Sequence, residues 1–148
     1  MEIRQETDIK VQIRKTLFEI EQQKRTRVQR FLLEIGLTPG QGQARILSSL
    51  AAAGNVTQRE LADACLMDVT TMSRTLDRLE EKGLIRRERD PRSRRAYRIG
   101  LTDAGQETAE KVDAGFAELE QVLCSGMTDA ELLALAGSLR KIRENLNE

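Results

Sequence analysis

Between Leu84 and Leu101 the chain carries two acidic and seven basic side chains, and all seven are arginines: Arg86, Arg87, Arg89, Arg92, Arg94, Arg95 and Arg98. A guanidinium donates in a planar fork that matches phosphate oxygens and the acceptor edge of guanine, which an ammonium does not. Taken alone, such a run reads as a solvated charged surface. Just upstream stands a second set: Thr70, Thr71, Ser73, Arg74 and Arg78. Short hydroxyls beside two long arginines make contacts to phosphates and base edges. They do not make or break bonds.

Catalytic chemistry finds no foothold. There is no histidine, which removes the commonest general base and metal ligand. Cys65 and Cys124 lie far apart without metal or redox spacing and read as small buried hydrophobes with reduced thiols. Glu80 and Glu81 fall on a solvated helix face, and Met72 and Met127 read as core. The expectation is no catalytic residue, no metal and no cofactor. Aromatic residues make up only 3% (Phe18, Phe31, Tyr97 and Phe116), which argues against stacking platforms for single-stranded nucleic acid. The polar N-terminus does not read as a signal peptide, and no apolar run nears the roughly 20 residues that span a bilayer. A cytoplasmic protein without a membrane partner is expected.

The net charge is zero over 148 residues, but it is unevenly distributed. Residues 84–101 carry a net +5 and residues 102–148 a net −6. The basic island is therefore a local feature, with an acidic segment after it.

The elements that position these residues follow from periodicity and caps. Ile9, Ile13, Leu17, Ile20, Val28, Phe31, Leu32 and Ile35 recur at helical spacing and predict a long first helix ended by Gly36. Thr38-Pro39-Gly40-Gln41 reads as a capped start to a second helix, stopped at Gly54. Thr57-Gln58-Arg59-Glu60 is a capping box opening a short helix that buries Leu61, Ala62 and Cys65. Asp68 caps a further helix to about Lys82, with Val69, Met72, Leu76 and Leu79 as its apolar stripe. The period then changes to two: Leu84–Arg89 and Ala96–Leu101 predict paired strands around a turn at Asp90–Arg95. Thr102 caps a long helix to about Cys124, and Thr128-Asp129-Ala130-Glu131 opens the last one.

A short helix, a tight turn and a second amphipathic helix make a helix-turn-helix, whose outer face enters the major groove. On this reading Thr70, Thr71, Ser73, Arg74 and Arg78 meet the duplex. The arginine hairpin flanks it, with Arg94 in the minor groove, where the potential is most negative. Arg92 and Arg95 then contact phosphates or support the hairpin, and Asp90 is a structural partner for a hairpin arginine. The fold class is mainly α with a small β-hairpin wing: a winged helix-turn-helix plus N- and C-terminal dimerisation helices. The expected divisions are 1–36, 37–102 and 103–148. The terminal helices carry apolar stripes that a small winged lobe cannot cover, so a homodimer is expected. Its two recognition helices would lie about one DNA turn, roughly 34 Å, apart. A protein-interaction module that has lost DNA binding and a nonspecific architectural protein are the rival readings.

The stretch from Leu37-Thr38-Pro39 to Leu101-Thr102 resembles the MarR family of winged-helix regulators. The resemblance rests on Thr57–Ala62, on Arg74–Ile85, and on Asp90-Pro91-Arg92-Ser93-Arg94-Arg95 followed by Leu101-Thr102. Asp90 and Arg92 match the family's Asp-x-Arg hairpin pattern. Leu66 departs from it, standing where a helix-turn-helix often has glycine. The resemblance implies a dimer on a palindromic operator in double-stranded DNA, acting as a repressor. It also implies relief by a small aromatic or phenolic ligand, with no pocket residues assigned.

Overall fold

Local capping sets most of the architecture. The computed structural model describes residues 8–93 and 96–147. In order the elements are α1 (Ile9–Glu34), α2 (Gln43–Ala53), β1 (Val56–Thr57), α3 (Gln58–Cys65), α4 (Val69–Glu81), β2 (Ile85–Arg89), β3 (Tyr97–Leu101), α5 (Asp103–Cys124) and α6 (Asp129–Leu146). The fold is mainly helical with one small antiparallel sheet, in strand order β1-β3-β2. The chain divides into two compact units, residues 1–113 and 114–148.

In the first unit the core lies where α2, α3, α4 and the sheet meet. Ile46, Leu47, Leu61, Cys65, Met72, Leu76, Leu79, Ile99 and Val112 are fully or almost fully buried. The capping box at Thr57 forms as expected, with Glu60 N–H donating to Thr57 Oγ1 and Glu60 reaching back to the Thr57 N–H. Val56 and Thr57, too short to stand as a strand alone, pair with Ile99 and Arg98 of β3 and carry the sheet into α3. α5 starts against the sheet: Thr102 donates to the Gly83 carbonyl at 2.6 Å and accepts from the Gly105 N–H at 3.0 Å. A Cβ on Gly105 would strike the Leu84 carbonyl oxygen. Only glycine allows that approach.

Three expectations are corrected here. α2 starts at Gln43, not near Thr38, because Gly40 and Gly42 adopt left-handed backbone at φ +79° and +73°. Thr38 makes no side-chain cap; its N–H donates to Gln43 Oε1 at 2.9 Å. Val69 leaves the apolar stripe and is 65% exposed, while Thr75 enters the core at 3%. Val69 is the first residue of its helix, so no preceding turn shields it. Lastly, Cys65 is buried but Cys124 is exposed in the single chain.

In the second unit α6 opens on a full capping box, Thr128 with Glu131, after a left-handed Gly126. None of its side chains is buried. Leu133 and Leu146 are 75% and 77% exposed, and Leu135 and Leu139 are also open. α1 likewise leaves Ile9, Ile13, Phe18 and Ile20 exposed. No single helix among the described residues is long and apolar enough to cross a membrane.

Candidate nucleic-acid interface

α3 and α4 are joined by Leu66, Met67 and Asp68. Leu66 makes the bend with φ 54° and ψ 42°, a left-handed conformation that leaves its side chain 92% exposed. Arg45 donates to the Cys65 carbonyl at 2.9 Å and satisfies part of the end of α3. Asp68 then caps α4 twice over: its carboxylate accepts the Thr71 N–H at 2.8 Å and the Thr71 hydroxyl at 2.7 Å. These bonds hold the Asp68 carboxyl below the ordinary carboxylate range, the backbone donor contributing most.

One side of α4 is fixed by Met72, Thr75, Leu76 and Leu79. The Thr75 hydroxyl donates towards the Gln41 carbonyl at 3.1 Å and the Thr71 carbonyl at 3.0 Å. At the end of α4, Lys82 donates to the Gly36 carbonyl at 3.0 Å and to Gln43 Oε1 at 3.1 Å. The helix is thereby tied to the segment between α1 and α2 at its middle and at its end. The opposite side presents Thr70, Arg74 and Arg78, all exposed, with Ser73 half-buried beside them. Neither arginine has an ion-pair partner among the described residues. From Thr70 to Arg78 is about 12 Å along the helix axis, comparable with the width of the major groove. Thr71, by contrast, spends its hydroxyl proton and N–H on Asp68.

The hairpin stands beside α4. β2 and β3 pair from Ile85↔Leu101 to Arg89↔Tyr97, so the turn lies about 16 Å from the hairpin base. Asp90 accepts the Arg92 N–H at 3.0 Å and lies 3.6 Å from the Arg98 guanidinium, with its side chain only 9% exposed. Arg92 is exposed. The candidates Arg94 and Arg95 lie outside the described residues.

Arg92, Arg94 and Arg95 have expected roles from the sequence, whereas Arg87 has none of its own and acquires one in the structure. It points inward, donating to Glu80 at 3.2 Å and to Asp77 at 2.5 Å, and the Glu80 bond, followed by the Asp77 bond, raises its pKa above the ordinary arginine value. Both acids belong to α4, so Arg87 fastens the hairpin to the helix. The alternation of β2 held the clue: Arg87 shares a face with Ile85, two residues away.

Comparison with known proteins matches this arrangement. Residues 35–96 fit the sequence profile of the MarR family. YwaE, an uncharacterized HTH-type transcriptional regulator of Bacillus subtilis, is 33% identical over 102 residues, 69% of this chain and 60% of its own length. A mutant of MarR from E. coli, solved in complex with operator DNA, superposes with a TM-score of 0.74 at 26% identity, covering 89% of this chain and 94% of that one. The chain belongs to the MarR family of winged helix-turn-helix transcriptional regulators. A further relative, S. aureus MepR in a DNA complex, superposes with a TM-score of 0.77 at 29% identity, covering 89% and 96% of the two chains. Most of the family's architecture is therefore present here, six helices and the small sheet included. Among the described residues no group of three or more potential metal ligands comes together.

Proposed function

We propose that the protein is a sequence-specific, double-stranded DNA-binding transcription regulator of a bacterial cytoplasm, acting as a homodimer on a palindromic operator. The observation that carries this is the outer face of α4, where Thr70, Arg74 and Arg78 stand exposed without protein ion-pair partners. A charged surface serving only solubility would not need its arginines on one helical face beside a clamped hairpin. MarR and MepR, similar over most of the chain, have each been solved with DNA.

In this reading α4 enters the major groove and Arg74 and Arg78 reach base edges or the backbone, with Ser73 and Thr70 on nearby acceptors and donors. Thr71 contributes through its cap, which fixes the start of the helix. Arg92 and, beyond the described residues, Arg94 and Arg95 meet the flanking backbone and minor groove. The divisions 1–36, 37–102 and 103–148 serve as dimerisation helix, DNA-binding lobe and dimerisation helices. Support for pairing comes from α1 and α6, whose apolar side chains stay open in the single chain. Repression, relieved by a small aromatic or phenolic ligand, follows from the family resemblance. A ligand preferring the wrong spacing of the two recognition helices would weaken DNA binding by its differential affinity.

The test is Arg74→Ala. Loss of one bidentate base contact lowers specific affinity by about 1–3 kcal/mol, roughly tenfold to a hundredfold. Binding to unrelated duplex should fall much less. Equal losses on both duplexes would remove base readout from Arg74.

A further inference from the structure

The segment from Gly36 to Gln43 joins α1 to α2, yet it makes contact with α4 along the way. α1 ends where the Gly36 N–H returns to the Leu33 carbonyl and the Leu37 N–H to the Leu32 carbonyl, with Gly36 left-handed at φ +83°. This closure sets the direction in which the chain leaves the helix, and Leu37 is buried. The connector then meets α4 and its approach at three heights. Lys82, at the end of α4, donates to the Gly36 carbonyl at 3.0 Å, to Thr38 Oγ1 at 3.2 Å and to Gln43 Oε1 at 3.1 Å. Midway, the Thr75 hydroxyl lies 3.1 Å from the Gln41 carbonyl oxygen. Just ahead of the helix Met67 lies over Gly42, where a Cβ would come within 3.0 Å of its sulfur.

An ammonium has three donors, and Lys82 directs all of them at the connector. Among the described residues it has no carboxylate partner. A lysine side chain loses rotamer freedom when it is held, and three converging bonds hold this one where a single exposed bond would not. Gln43 completes the knot. It is buried, its Oε1 also accepts the Thr38 N–H at 2.9 Å, and its Nε2 donates to Gln41 Oε1 at 3.2 Å. A shift of the connector along α4 therefore breaks several bonds at once. Thr75 and Lys82 are about 10 Å apart along the helix axis, so a movement of ~1 Å at Lys82 against a fixed Thr75 tilts α4 by about 6°.

We propose that this connector couples α1 to α4, with Lys82 as its positioning residue, and thereby sets how strictly the protein selects the spacing of two half-sites on DNA. The proposal rests on the reading above, in which α1 pairs the protomers and α4 enters the major groove. Two recognition helices must then lie about one DNA turn, roughly 34 Å, apart. One base pair inserted between the half-sites moves them by about 3.4 Å and rotates them by about 35°. A dimer whose α4 is fastened to α1 cannot follow that change, whereas one with a loosened connector can. The bonds of Lys82 go to the connector, so its loss acts on discrimination between spacings and not on base contacts.

The test is full-length Lys82→Met, which keeps the aliphatic stem and removes the donors. Footprinting locates the protected site in the protein's own upstream DNA. Affinity is then measured on that site and on versions with one base pair inserted or removed at its centre. In a DNA-free arm, a spin label on Thr70→Cys in a Cys124→Ser background reports the distance between recognition helices across the dimer; Cys65 is buried and stays unlabelled. The expected result is that the affinity ratio between natural and altered spacings falls roughly twofold to thirtyfold, while the distance distribution widens. Thr75→Val, similar in shape, breaks the midway contact and should move the ratio in the same direction. A uniform loss on all three duplexes, which general destabilisation would give, overturns the proposal, and so does an unchanged ratio. If wild-type protein binds none of the duplexes, the DNA-binding reading fails and the distance arm alone decides the coupling. There, a distribution no wider in Lys82→Met, or no distance across a dimer at all, overturns it.

Discussion

Arg87 on β2 and Asp77 on α4 are joined by a 2.5 Å hydrogen bond from guanidinium to carboxylate, and Glu80 one turn further along the helix closes the other side of the clamp. Both carboxylates are roughly half exposed and Arg87 is about one-fifth exposed. The clamp ties the helix to the wing, and its one positive charge offsets half of the two negative charges that Asp77 and Glu80 carry. Arg87→Met, which keeps the stem and removes the fork, should lower stability by only about 1 kcal/mol, as partly exposed ion pairs contribute little. DNA affinity should fall more than that stability loss explains, since two uncompensated carboxylates then face the duplex. Denaturant melts and anisotropy on the same variant separate the effects. Unchanged affinity would show that the clamp does not position the wing for binding.

Asp68 gives a pH dependence whose sign follows from its cap. Hydrogen bonds from Thr71 depress its folded pKa below the ordinary value of 3.8. The stabilisation is therefore present above pH 3.8 and is lost as the pH falls through the folded value. Asp68→Ala should melt at a lower temperature than wild type at pH 7, and the gap should close on acidification. Scanning calorimetry at several pH values checks this; a gap independent of pH would remove the cap's charge from the account.

Leu66 holds a left-handed backbone that disfavours a side chain, with its own side chain in solvent. Leu66→Gly relieves about 1–2 kcal/mol of conformational cost, offset by glycine's greater freedom in the unfolded chain. A net gain of roughly 0.5–1 kcal/mol is expected in urea unfolding. Destabilisation instead would mean that Leu66 packs against something in the assembled protein.

How far the sequence was legible tracks how local each signal is. The caps at Thr57, Asp68, Thr102 and Thr128 are read within four residues and form as expected. The change of period after Gly83 placed the hairpin correctly, because side-chain alternation does not depend on distant contacts. Where a residue's role is set by elements far along the chain, the pattern was silent. Val69 had the spacing of a core residue but no neighbour to cover it, and Thr75 was covered because the Gln41 carbonyl came within reach. Alternation puts Arg87 on the face of Ile85, but its partners Asp77 and Glu80 come into reach only with α4 packed beside the strand. Thr38 carried a capping residue's identity, yet Gly40 and Gly42 turned the chain before the helix began.

Pairing of the terminal helices also has a direct check. Leu139 on α6 is 43% exposed in the single chain. If α6 is buried in the dimer, Leu139→Glu removes that burial twice, once per protomer, at a cost of roughly 3 kcal/mol or more. Sedimentation should show a dissociation constant raised about a hundredfold or more, with helical content unchanged. A dimer of undiminished affinity would move the interface elsewhere.

The central claim is specific recognition of duplex DNA, and the most direct measurement is anisotropy of the purified protein on its own upstream DNA against a scrambled duplex, across a salt series. A preference of about a thousandfold or more, with affinity falling steeply as salt rises, is the expected result. Equal, salt-dependent binding to both duplexes, or binding to neither, would contradict it.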